Sequence, residues 1–317
     1  MGRTAESTRE WKGMRPRQKA RLFATFQNGT IRNGSIFAPD GVDVSHRMKL
    51  VARTTLAQAR YAKNRADMGR FADENGGFVN AYYAPCVTLE QQYPTLSQSD
   101  VGRLMFLATY TAYNGTLQHD NGRIIDRSGV EELVGLSRSR FSEFYGKLLS
   151  EGVLCELEGG RIRVNPALFN RGKREDVGEG MQSIRLYRDT IRSLYAKFGQ
   201  GRDVKQLSIV FMVIPFLNFR YNIVAMNPKE YFDYDVVPMT LDQLALVLQY
   251  SDASKLKRAM SKVRLDDQPV FAFVEDTEDR RKRRIIANPR VLFAGDAKSL
   301  RELEALAVVF NSTRRRS

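Results

Sequence analysis

Two stretches far apart in the chain read almost alike: Arg161-Ile-Arg-Val-Asn165-Pro166 and Arg284-Ile-Ile-Ala-Asn288-Pro289. Each closes a longer series of the same order. Before the first, Ile124-Ile125-Asp-Arg-Ser128 leads into the capping box Ser128-Gly-Val-Glu131. Before the second, Val236-Val237-Pro-Met-Thr240 leads into Thr240-Leu-Asp-Gln243. From cap to Asn-Pro the copies run Ser128–Asn165 and Thr240–Asn288, the second eleven residues longer, mostly in its hairpin. A chain built twice to one plan is expected to fold as two versions of one unit.

The plan itself can be read from spacing. In the first copy Val101, Leu104, Met105, Ala108 and Ala112 recur at helical intervals. After the capping box, Gly135-Leu-Ser-Arg138 makes a turn. A second helix follows with Phe141, Phe144, Tyr145, Leu148 and Leu149 on its core face. Two β runs, Val153–Leu157 and Arg161–Val164, are joined by Glu158-Gly-Gly160. The second copy repeats this with a buried helix at Leu207–Leu217 and a helix carrying Leu256, Ala259, Met260 and Val263. Its strands, Pro269–Glu275 and Arg284–Ala287, flank Asp276–Arg283. Helix, helix, turn, helix and hairpin is the order of a winged helix-turn-helix. The expected fold class is therefore mainly α with small β-hairpin wings (α+β), in two tandem winged-helix domains.

The remaining chain divides around these copies. Residues 1–48 read as a basic, flexible arm, and 49–94 as a basic helix closed by Gly76-Gly77 with a connecting strand. The first winged-helix domain is expected over 95–172, a linker over 173–183 and the second domain over 184–296. In the latter, Ile184–Phe198 has the spacing of an amphipathic entry helix. Residues 297–317 read as a terminal helix with a basic tail at Arg314–Arg316.

Charge points to the partner. Fifty Lys and Arg against 36 Asp and Glu give +14, and residues 1–70 alone hold 15 basic and 5 acidic side chains. Such asymmetry favours a polyanion, most often nucleic acid. A winged helix-turn-helix lays its second turn helix in the major groove and brings its hairpin to phosphates. The outward face of that helix must then offer donors. In the first copy the candidates are Arg138, Ser139, Arg140, Ser142 and Lys147, with Arg161 and Arg163 on the hairpin. In the second they are Ser254, Lys255, Lys257, Arg258, Ser261 and Lys262, with Arg280, Arg281, Lys282, Arg283 and Arg284 in the wing. Arg53, Arg60 and Lys63 on the early basic helix complete the set. Phe141, Phe144 and Tyr145 lie at core spacing and read as packing.

Catalysis finds little support. The only histidines, His46 and His119, form no paired metal motif, and no Gly-x-x-x-x-Gly-Lys-Ser/Thr phosphate loop exists. Cys86 and Cys155 have no ligand spacing and read as buried thiols of a reducing compartment. No cofactor and no metal are expected. No run reaches the ~18 apolar residues of a membrane span. The expected address is cytoplasmic, with the nucleoid or a plasmid.

Phe141 to Gly172, with its Phe-x-x-x-Tyr-x-x-Leu-Leu-x-x-Gly segment, short hairpin and Asn165-Pro-Ala-Leu-Phe-Asn-Arg-Gly172, resembles the winged-helix part of plasmid and phage replication proteins. Arg185-Leu-Tyr-Arg-Asp-Thr-Ile-Arg-Ser-Leu-Tyr195 is similar to the segment that follows there. The tandem order resembles iteron-binding initiators, and the resemblance implies binding of repeated origin sites in double-stranded DNA. It further implies host replication proteins as partners, and one domain that commonly dimerises or contacts the repeat weakly. A homodimer is thus a further candidate state. A transcriptional repressor or partition protein, and a winged-helix protein binding protein or non-specific nucleic acid, stay open as alternatives.

Overall fold

The computed structural model describes residues 13–46, 56–87, 89–172, 182–199, 201, 203–275, 283–305 and 310. The chain divides into two compact units, 1–60 and 61–317. It mixes helices with small antiparallel sheets.

The first unit contains more order than a flexible arm. Helix α1 (Pro16–Asn28) opens with Pro at its first position, where the missing N–H costs nothing. A hairpin follows, β1 (Thr30–Arg32) with β2 (Ser35–Phe37). Its turn is Asn33-Gly34 with φ of 47° and 81°, the two positive values that a two-residue turn demands. Ile36, Ala38 and Val44 close a small apolar cluster beneath it. The turn dipeptide was visible in the sequence, but the apolar residues it gathers were too sparse to announce a core.

Helix α2 (Leu56–Glu74) realises the later part of the expected basic helix; residues 49–55 lie outside the described residues. Its last turns, already within the second unit, carry Met68, Phe71 and Ala72 in one apolar cluster with Tyr187, Phe293 and Leu300. Gly76 and Gly77 end it with φ of 75° and 76°, and a Cβ on Gly76 would stand about 2.1 Å from the Asp189 carboxyl.

Both copies of the repeat fall in the second unit. The first comprises α5 (Gln98–Ala108), α6 (Arg127–Val134), α7 (Arg138–Ser150) and the hairpin β4 (Leu154–Leu157) with β5 (Arg161–Val164). The second comprises α9 (Val204–Met212), α10 (Leu241–Val247), α11 (Ala253–Lys262) and the hairpin β10 (Phe271–Glu275) with β11 (Arg283–Ala287). Between β3 (Phe78–Tyr82) and α5 lie the short helices α3 (Tyr83–Val87) and α4 (Leu89–Gln92). Ahead of α9 stand β7 (Ser183–Tyr187) and α8 (Arg188–Phe198). β8 (Arg264–Leu265) and β9 (Gln268–Pro269) form a small extra hairpin before β10.

Backbone hydrogen bonds match between the copies bond for bond. Leu117 N–H donates to Ile162 O and Val224 N–H to Ile285 O, each at 2.8 Å. These bonds tie the segment around Leu117 or Val224 to its hairpin, each with one isolated antiparallel bridge. Asn165 N–H donates to Val153 O and Asn288 N–H to Val270 O. The side chains of the two Asn residues then hold the chain reversal: Asn165 Nδ2 donates to Gly152 O and Asn288 Nδ2 to Pro269 O. Each Asn Oδ1 also accepts from the backbone two residues on, at Ala167 and Arg290. The Asn-Pro signature is thus a structural staple, and each staple is followed by a short strand, β6 (Phe169–Asn170) or β12 (Leu292–Phe293).

Those strands build a shared sheet in the order β12-β7-β3-β6, antiparallel throughout. With Asn165 set on Asn288, β6 on Ala81 and Asn80 corresponds to β12 on Leu186 and Arg185. Asn80 pairs with Arg185 in the β3–β7 ladder, so each residue faces its own counterpart. The four strands are therefore arranged about a local two-fold axis through that pair. α5 and α9 cross at Gly102, where a Cβ would lie 2.9 Å from Val204 O. One continuous apolar core runs through both copies.

Several expectations need correction. Ile184–Phe198 is not one helix, because Ile184 and Leu186 are fully buried in β7 and the helix starts at Arg188. The cap of α6 is Asp126, whose carboxylate accepts from Gly129 N–H, not Ser128. The Thr240–Gln243 box is present as read. The Leu207–Leu217 helix begins at Val204, ends at Met212 and continues as a tight turn at Ile214–Phe216 around Pro215. Strand β10 starts at Phe271, two residues after the expected Pro269. Residues 173–181 of the expected linker lie outside the described residues, and 183 already belongs to the shared sheet. The terminal helix α12 covers Ala297–Ala305. Cys86 is buried, but Cys155 is exposed on β4.

Candidate nucleic-acid interface

Each copy positions its candidate helix by the same means. In the first, Gly135 ends α6 in the left-handed region at φ 63° and turns the chain into α7. Phe141, Phe144, Tyr145 and Leu148 then fasten α7 to the core. This leaves Arg138, Ser139, Arg140 and Ser142 exposed on the opposite side. Lys147 behaves differently. Its Nζ donates to Glu143 at 2.7 Å and stands 3.8 Å from Asp100, so it is held against the protein. The hydrogen bond to Glu143 raises the Lys147 pKa and lowers that of Glu143.

In the second copy the residue in the left-handed turn is Gln249, at φ 58°, where a glycine would be unstrained. Asp252 caps α11 by accepting from Lys255 N–H at 2.8 Å, and that bond lowers its pKa. Leu256 and Met260 are buried, whereas Ser254, Lys255, Arg258, Ser261 and Lys262 are exposed at spacings that share one face. Lys257 is half-buried with its ammonium 5.6 Å from the Phe273 ring.

The hairpins add cations beside these faces. Arg161 and Arg163 are exposed on β5, alternating with buried Ile162 and Val164, as strand periodicity requires. On β11, Arg283 pairs by backbone with Glu275, and Arg284 reaches Asp233 at 3.0 Å. Arg280, Arg281 and Lys282 lie outside the described residues, as does Arg53. Arg60 and Lys63 are exposed on α2.

Arg123 and Arg127 are further exposed cations here that helical spacing did not nominate. Arg127, at the first position of α6, lies over the Tyr145 ring at 5.2 Å. Its place next to the capping residue was the available signal.

Among the described residues, no group of three His, Cys, Asp or Glu stands where it could hold a metal ion, and no helix is long and apolar enough to cross a membrane. Burial pushes the Cys86 thiol pKa up, which disfavours its reactive thiolate. No protein-family profile, curated protein or solved structure matches the chain.

Proposed function

We propose that the two copies are winged helix-turn-helix modules and that the chain is a sequence-specific double-stranded DNA-binding protein. Its role in this reading is replication initiation on a plasmid or phage-like element, at repeated origin sites in the cytoplasm. One observation carries the reading: in each copy the helix after the turn buries its aliphatic or aromatic side and leaves an Arg- or Lys-bearing side exposed beside a hairpin. That is the side-chain supply that groove recognition requires. The cations nominated to meet DNA are Arg138, Arg140, Arg161 and Arg163 in one module and Lys255, Arg258 and Lys262 in the other. No reacting group is assigned, so the reading is non-enzymatic.

The test is selection from randomised and plasmid-derived DNA at two salt concentrations, with the bound fragments sequenced. Enrichment of directly repeated sites from a replication region, weakened by Arg258→Ala, supports initiation. A single inverted repeat beside a promoter replaces it with repression. Binding without sequence preference that vanishes at high salt rejects base readout.

A further inference from the structure

The second unit carries a surface that suits DNA poorly. A cavity of about 440 Å³ opens between α3, α4, the start of α5, the end of α9 and the end of α10. Its wall is largely apolar, with Cys86, Leu89, Phe211 and Phe216 among the lining. Gln98, on this lining, donates through Nε2 to Leu248 O at 3.4 Å, and its Oε1 is buried without a hydrogen-bond partner.

Large apolar side chains stand exposed around it. Val87, Met226 and Val247 line the cavity while remaining exposed, and Leu246 beside them is 80% exposed. Met226 begins a segment, up to Val237, that is longer than its counterpart 119–123 in the first copy. This insert holds Tyr231, Phe232 and Tyr234, the last 81% exposed. Tyr231 and Phe232 meet edge to face, Phe232 and Tyr234 stack, and Arg220 covers Tyr231 at 4.2 Å. Apolar exposure gathered in this way marks an interaction surface.

Charge selects the kind of partner. Residues 226–249 hold four acids, Glu230, Asp233, Asp235 and Asp242, and one base, Lys229, in a chain of net charge +14. With Arg284 on Asp233 and Arg220 over Tyr231, Asp235 and Asp242 are the exposed acids that attract a basic segment.

We propose that the cavity, its apolar rim and the acidic aromatic insert form a docking site for a basic amphipathic helix of another protein. The helix places apolar anchors in the cavity and Lys or Arg against the insert and the start of α10. This site stands whether or not the chain binds DNA.

The test uses the full chain and a fluorescent helical peptide of leucine and lysine, with leucines at helical spacing, read by anisotropy at physiological salt. Two control peptides replace lysine by glutamate or leucine by serine. The variants below assign the capture of the basic peptide to this face. The leucine–lysine peptide is expected to bind and the serine peptide not to, while any glutamate peptide held by the exposed cations elsewhere should be unaffected by substitutions in this face. Binding of the leucine–lysine peptide should weaken about tenfold in Leu246→Ser/Val247→Ser and in Asp235→Asn/Asp242→Asn, all exposed positions whose folding is checked by circular dichroism. Binding of the serine peptide as tight as that of the leucine–lysine peptide, or equal binding of the leucine–lysine peptide by the variants, overturns the proposal. So does a self-association of the wild-type chain in sedimentation equilibrium that Leu246→Ser abolishes, since the face would then belong to a second copy.

Discussion

Arg188, on the first turn of α8, donates through its guanidinium to Asp120 in the loop between α5 and α6, so it binds the first copy of the repeat to the segment leading into the second. Its Nε also donates to Thr109 O at 2.6 Å and its Nη1 to Gly76 O at 3.2 Å. Arg192 completes the group, with Nη1 on Asp120 at 2.6 Å and its plane 4.0 Å from the Tyr110 ring. Arg188 is buried, so it is the member that most needs its partners.

The clamp predicts acid sensitivity. Burial raises the pKa of Asp120, but hydrogen bonds from Arg192 and Arg188 outweigh it and hold the carboxyl at about 2, below its ordinary 3.8. The folded value is the lower one, so the stabilisation is complete above pH 3.8 and is lost as pH falls through about 2. Urea midpoints measured across this window should fall more steeply in the wild type than in Asp120→Asn. At neutral pH, Arg188→Met leaves Thr109 O and Gly76 O without this donor and should cost about 2 kcal/mol.

The exposed cations predict a contrast in DNA binding. Each phosphate that a protein cation neutralises contributes about 0.9 to the salt slope of the binding constant. Removing Arg258 or Lys262 should lower affinity, and each substitution should reduce that slope by about this amount. Lys147→Ala should leave both unchanged, because its ammonium is spent on Glu143 and Asp100. Filter binding over a salt series reads the difference.

The two turns predict opposite signs. Gly135→Ala forces a Cβ into the left-handed region and should destabilise the chain by about 1 kcal/mol. Gln249→Gly relieves the same strain in the other copy. Added freedom in the unfolded chain opposes it, so a net gain of about 0.5 kcal/mol is expected. Thermal melts of the pair of variants check both signs.

The helix crossing predicts intolerance of the smallest possible addition. Gly102→Ala sets a methyl 2.9 Å from the Val204 carbonyl oxygen, a backbone atom that no side-chain rotation can clear. The repacking should cost about 2 kcal/mol. Chemical denaturation should show this loss without a change in DNA affinity at temperatures where the variant remains folded.

What could be read from sequence followed local chemistry. The repeat was legible because Asn165-Pro166 and Asn288-Pro289 do the same local work, each Asn bridging the start of its hairpin to the residues after it. The core faces of α7 and α11 followed from helical spacing, and the exposed cations followed from them. The shared sheet was not legible, since β6 and β12 are two residues each and pair across the fold with strands whose own signal was weak. Ile184 and Leu186 fit a helix face as well as a strand face, and only the neighbours β3 and β12 decide between them. Lys147 shows the same limit at the interface: no sequence spacing revealed that Asp100, on another helix, helps to hold it.

The axis through Asn80 and Arg185 has a consequence for assembly. A symmetric dimer of two chains presents every surface twice and has no left or right. Here one gene encodes both halves, so each can change without the other, and the axis itself joins unlike residues. The Tyr231–Tyr234 segment occurs on one half alone. A two-fold sheet flanked by a single such segment has a direction, because that segment marks one half and not the other.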